Sequence, residues 1–150
     1  MATTTAHPLE TLQGLAEEAT TEAMAKLAEM LAGLRDSEGR LAMLLQYRDE
    51  YRSKLESSSR NGVSVVELSN FRTFLGRLEE AVAQQKADVE YWQTAVERSR
   101  ETWREAERKS RSFSVLNDRR NERERNTAAR TEQKQNDEFA ARMASTPRWS

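Results

Sequence analysis

Apolar side chains recur along this chain in steps of three and four. Over positions 9, 12, 16, 19, 23, 26, 30, 34, 37, 41, 44, 48, 51 and 55, eleven of fourteen residues are apolar. The exceptions are Lys26, Ser37 and Arg48, and one slip of register falls near Leu34. Over positions 68, 71, 75, 78, 82, 85, 89, 92, 96, 99, 103, 106, 110, 113 and 117, eleven of fifteen are apolar, including Leu68, Phe71, Val82, Trp92 and Trp103. A stripe that repeats every 3.5 residues predicts a coiled-coil seam, and the second run is the cleaner of the two.

The segment "SSSRNGVSVVEL" separates the runs. Asn61-Gly62 suits the left-handed conformation that ends a helix. Ser64 with Glu67 three residues later reads as a capping box, and Val63 with Leu68 as the accompanying hydrophobic staple. One helix is therefore predicted over about 8–58, a turn over 59–64, and a second helix over about 65–143, with 1–7 and 144–150 disordered. A connection this short makes neighbouring helices antiparallel. The predicted fold class is all-α, an antiparallel two-helix coiled coil forming one elongated hairpin over 1–150. At 1.5 Å per residue the helices would measure about 75 Å and about 120 Å, so the first runs out opposite roughly Leu116. Beyond that point "NDRRNERERNTAARTEQKQNDEFAARM" offers almost no seam and is marginal as an isolated helix.

Composition agrees with long helices rather than a layered globule. Charged residues make up 33% and apolar ones 37%, and the two prolines, Pro8 and Pro147, stand at the extremes. The net charge of −1 hides an asymmetry: residues 1–97 carry 10 Lys+Arg against 16 Asp+Glu, and residues 98–150 carry 14 against 9. Such a basic tail suits either a nucleic acid or an acidic protein surface. Glutamates interrupt the arginines of 98–130, and few aromatics are interleaved among them, which argues against nucleic acid. No apolar run reaches the roughly 20 residues that span a bilayer, and "MATTTAH" lacks the features of a secretory signal. The absence of cysteine excludes a disulfide, a thiol nucleophile and a thiolate metal site.

Catalytic chemistry finds no footing. The single histidine, His7, stands beside Pro8 near the N-terminus. Adjacent carboxylates such as Glu17 and Glu18 diverge by about 100° on a helix. No phosphate-binding glycine motif occurs, so any ATP belongs to a partner, and no cofactor is expected. The chain is read as a non-enzyme, with a generic coiled-coil scaffold or dimerisation module as the alternative function.

One stretch carries more apolar surface than a seam needs. Around "LLQYRDEYRSKL", residues 44–55, the side chains of Leu41, Met43, Leu44, Leu45, Tyr47 and Tyr51 spread beyond one amphipathic stripe. If Leu41, Leu44 and Tyr51 pack inward, Tyr47 and Met43 fall outside. If Leu41 and Leu45 pack inward instead, Leu44, Tyr47 and Tyr51 form the outer face. The second helix has a matching excess at Phe74 and Ala81 beside Leu78. Exposed aromatics of this kind mark a protein-binding surface, and an overpacked seam is the plainer alternative.

These segments, together with "LETLQGLAEEA", "NGVSVVELSNFRTFLGRLEEAV", "TWREAERK" and "DEFAARM", resemble the FliJ family of the bacterial flagellar type III export apparatus. The likeness covers about residues 8–143, and "YRDEYR" and "DEFA" are its most specific parts. The resemblance implies a stalk like that of rotary ATPases, which enters the hexameric flagellar export ATPase and promotes its assembly. It also implies contact with the cytoplasmic linker of the membrane export gate, and with export chaperones. The chain would then be cytoplasmic and peripherally associated with the inner face of the membrane at the flagellar base, with no direct insertion and no nucleic acid bound. The family's gate-facing stripes match Arg40, Leu44, Tyr47 and Tyr51 on the first helix, and Phe74, Leu78, Ala81 and Gln85 on the second. Arg40 and Gln85 depart from the family pattern, standing for a glutamine and a histidine. The ATPase or chaperone contact would use the basic end, where Arg119, Arg120, Arg123 and Arg125 can pair with carboxylates.

Overall fold

The computed structural model describes residues 7–145, and these form two helices packed against each other, with no strand among them. Helix α1 spans Pro8–Arg60 and helix α2 spans Val65–Ser145. Of the termini expected to be disordered, residues 1–6 and 146–150 lie outside the described residues. Ala144 and Ser145 belong to α2. His7 caps α1: its carbonyl accepts from the Glu10 and Thr11 amides at 2.9 and 3.2 Å, and its ring Nδ1 accepts from the Leu9 amide at 3.1 Å. Pro8 follows at the first helical position, where its missing N–H costs no hydrogen bond.

The reversal follows from local chemistry. The Asn61 amide donates to the Ser57 carbonyl at 3.1 Å, and Gly62 takes φ +76°, the left-handed conformation that closes α1. Ser64 starts α2, its Oγ accepting from the Glu67 amide at 3.2 Å. Val63 and Leu68 are both half-buried, while Val65 and Val66 between them are exposed.

The seam of α2 lies where the spacing predicts, with none of the fifteen positions from Leu68 to Asn117 exposed. That of α1 differs in its first half. Gln13, Thr20 and Leu27 turn inward, and the predicted Leu12, Ala19 and Lys26 face solvent. With those exchanges the steps of four and three run unbroken from Leu9 to Ser58, and the register slip near Leu34 disappears. Hydrophobicity misled here because polar Gln13 and Thr20 hold seam positions beside more apolar neighbours.

The chain divides into two compact units, one built from α1 through Ala19 with α2 from Ala106, the other from Thr20–Glu105. The second unit contains the turn. Its tightly buried apolar residues are small: Ala23, Val82, Val89 and Val96. Trp92 packs over Gly33, where a Cβ would stand 2.4 to 2.6 Å from three ring atoms. A buried polar knot accompanies them. Ser37, 2% exposed, donates through Oγ to Asp88 Oδ2 at 2.6 Å. Gln85 Nε2 donates to the Ser37 carbonyl at 3.1 Å and to Ser37 Oγ at 2.9 Å. Such a knot in a seam favours one register, because any slip strands its polar groups.

In the first unit Ala16 is buried. Asn117 Nδ2 donates to Gln13 Oε1 and, at 3.5 Å, to the Leu9 carbonyl. Arg120 pairs with Glu10 at 2.7 Å. From Asn121 to Ser145 every residue of α2 is exposed, as the shorter α1 predicts.

Candidate functional site: an aromatic flank beside the turn

Heptad lettering locates the predicted surface. With the seam positions as a and d, Leu44 and Tyr51 are d residues of α1, and Arg40 and Tyr47 are g residues. On α2, Leu78 and Gln85 are d, and Phe74 and Ala81 are g. In an antiparallel pair the g positions of one helix flank the g positions of the other. All eight residues therefore share one flank of the Thr20–Glu105 unit. Contacts agree with that lettering: Tyr51 meets Phe74 with ring centroids 4.5 Å apart, while Arg52 pairs with Glu79 at 2.7 Å on the opposite flank, both at e positions.

Exposure sorts the eight by role. Tyr47 is 49% exposed and Phe74 44%, so two rings stand partly in water on one flank. Arg40 is exposed at its edge, and Leu44, Leu78 and Ala81 are half-buried beneath. Tyr51 belongs to the seam, tilted against Phe71 and Phe74 at 5.5 and 4.5 Å. Of the two sequence alternatives, the structure takes the one with Leu41, Leu44 and Tyr51 inward and Tyr47 and Met43 outward. Gln85 is engaged with Ser37 and so is held in the seam. Met43, 54% exposed and one turn before Tyr47, adds a flexible apolar neighbour. Its spacing from Tyr47 already sets it outward in that alternative.

The four arginines do not make one surface. Arg120 sits at a d position with its side chain 17% exposed, held by Glu10 at 2.7 Å and near Glu124 at 3.9 Å. Arg119 and Arg123 are exposed and one turn apart, on a common face. Arg125 is exposed but lies about 200° around the helix from Arg123. Among the described residues, no helix is long and apolar enough to cross a membrane, and no cluster of His, Cys, Asp or Glu could hold a metal ion.

By class the protein is an all-α antiparallel helical hairpin, with an aromatic flank in the unit that holds its turn. Its family follows from sequence: the pattern described as Flagellar FliJ protein matches residues 5–148. The chain is 35% identical over 136 residues to the Flagellar FliJ protein of Salmonella typhi, covering 91% of this chain and 92% of that one. It is 32% identical over 136 residues to the Flagellar FliJ protein of Escherichia coli strain K12, with the same coverage. The chain belongs to the flagellar FliJ family.

Proposed function

We propose that this protein is a non-enzymatic component of the flagellar type III export apparatus. It acts as a stalk-like activator of the export ATPase hexamer, links that ring to the cytoplasmic linker of the membrane export gate, and engages export chaperones. It works on the cytoplasmic side, and its attachment to the membrane runs through these partners. The observation that carries the gate contact is the d/g flank to which both helices contribute, with Tyr47 and Phe74 outward over Leu44, Leu78 and Ala81. Half-exposed rings above an aliphatic floor supply the apolar anchors on which protein interfaces depend. Arg40 adds a charge at the rim, and the buried knot of Ser37, Gln85 and Asp88 holds the two stripes in register.

A stalk also needs an end for the ring to grip. Arg119 and Arg123 supply exposed guanidinium groups for that contact, together with Arg125 on another face. Arg120 supports it from within by fixing the start of α1 through Glu10.

Two assays with purified partners test the reading. A Tyr47→Ala/Phe74→Ala variant should lose capture of the export-gate cytoplasmic domain at least tenfold while keeping its helical circular dichroism. An Arg119→Glu/Arg123→Glu variant should stimulate the export ATPase less than the wild type does. Unchanged gate capture in the first variant refutes the gate contact, and unchanged stimulation in the second refutes the arginine contact.

A further inference from the structure

A second apolar surface lies in the other unit. Leu12 and Leu15 on α1 are 45% and 57% exposed, and Val115 and Leu116 on α2 are 48% and 45% exposed. Leu12 and Leu116 are both g residues, so they flank each other in the antiparallel pair, and Asn117 bonding to Leu9 and Gln13 fixes them at nearly one level. Leu15 lies beside them at an outer c position, and Val115, at f, points away from the seam. Three aliphatic side chains, Leu12, Leu15 and Leu116, thus share one side of the hairpin.

Cations surround this patch. Lys109 and Arg123 are the g residues one heptad before and after Leu116, about 10.5 Å away on either side along the helix. Arg119 stands one turn on from Val115 and Leu116. All three are exposed, and none forms an ion pair within the described residues. Carboxylates on this side are Glu18 and Glu122 at outer f positions, Glu105 four residues before Lys109, and Glu22 one heptad after Leu15.

We infer that this patch is a docking groove for an acidic amphipathic helix of another protein, laid between α1 and α2 as a third helix. Leucines of the ligand at i, i+4 and i+7 rest on Leu12, Leu15 and Leu116, and carboxylates flanking them meet Lys109, Arg119 and Arg123. A second copy of this chain is a poorer occupant. A two-fold contact through the patch would set the same three cations against their own copies. The inference deepens the reading of the basic end as a contact surface, since it supplies the apolar half of that contact and the chemical class of its ligand.

The test uses the full-length chain and a fluorescein-labelled helical peptide of 21 residues, with leucines at i, i+4, i+7 and i+11 and glutamates flanking them. A matched peptide carries lysines in place of the glutamates. Anisotropy titration should show the glutamate peptide binding at least tenfold tighter than the lysine peptide. Leu12→Ser/Leu116→Ser should weaken that binding at least tenfold with helicity unchanged, and Lys109→Glu/Arg119→Glu should invert the preference between peptides. Equal binding of the two peptides, no binding of either, or full binding by the serine variant overturns the inference. So does sedimentation of the wild type as a dimer that the serine variant loses, or displacement of the peptide by vesicles of anionic phospholipid. The peptide readout needs no ATPase, so a failed groove and a failed ATPase contact are told apart.

Discussion

Placing an alanine at Gly33 should destabilise the hairpin, whereas the same change at Gly39 should stabilise it. Both glycines lie inside α1, where replacing glycine by alanine favours the helix by about 1 kcal/mol. At Gly39 nothing lies within 4 Å of the new Cβ, so that gain stands alone. At Gly33 the methyl meets Trp92 ring atoms at 2.4, 2.6 and 2.6 Å, closer than carbon atoms pack, so the indole must move out of its place in the seam. Overpacking of this kind costs about 1–3 kcal/mol, which outweighs the propensity gain. The two variants should therefore differ by about 1–3 kcal/mol, or by about 2–12 °C in melting temperature for a chain of this size. Thermal melts followed by circular dichroism at 222 nm give the difference, and Trp92 contributes a fluorescence shift in the Gly33→Ala variant alone. If Gly33→Ala melts as high as Gly39→Ala, Trp92 does not pack over Gly33 and the register drawn through that pair is wrong.

Tyr51→Ala should lower stability by about 2 kcal/mol, since its ring contacts with Phe71 and Phe74 are lost from a half-buried site. Tyr47→Ala, at a half-exposed ring, should change it by less than about 0.5 kcal/mol, and urea melts of the two variants give the contrast. Ser37→Ala should cost about 1–3 kcal/mol by removing the hydroxyl shared by Asp88 and Gln85, read in the same melts.

The hairpin itself was legible because punctuation and periodicity agreed. Asn61-Gly62 and Ser64 marked the reversal, and seam residues of α2 such as Val82, Val89 and Val96 outcompeted every alternative face. The first turns of α1 were harder to read. There the burial of Gln13 depends on a partner, Asn117, that lies 104 residues away in sequence. A hydrophobicity count instead favours Leu12, which the fold leaves outside. The flank was half legible for a related reason. Spacing placed Arg40, Leu44, Tyr47 and Tyr51 on one stripe, but which member looks out depends on Phe71 and Phe74 from the other helix. Gln85 belongs to the second stripe by spacing, but its engagement in the seam depends on Ser37 from the other helix. Charge runs were the least informative: four arginines close in sequence point in different directions, and Arg120 is tied to Glu10.

On the proposed function, one flank, bearing side chains of both helices, meets the export gate while the opposite flank does not. The direct measurement replaces single residues by a photo-cross-linking amino acid, in place of Tyr47 or Phe74 on the g flank and Arg52 or Lys86 on the e flank, with the gate's cytoplasmic domain present. Capture from positions 47 and 74, and none from 52 and 86, is the predicted result. Equal capture from both flanks, or capture from the e flank alone, would contradict the account.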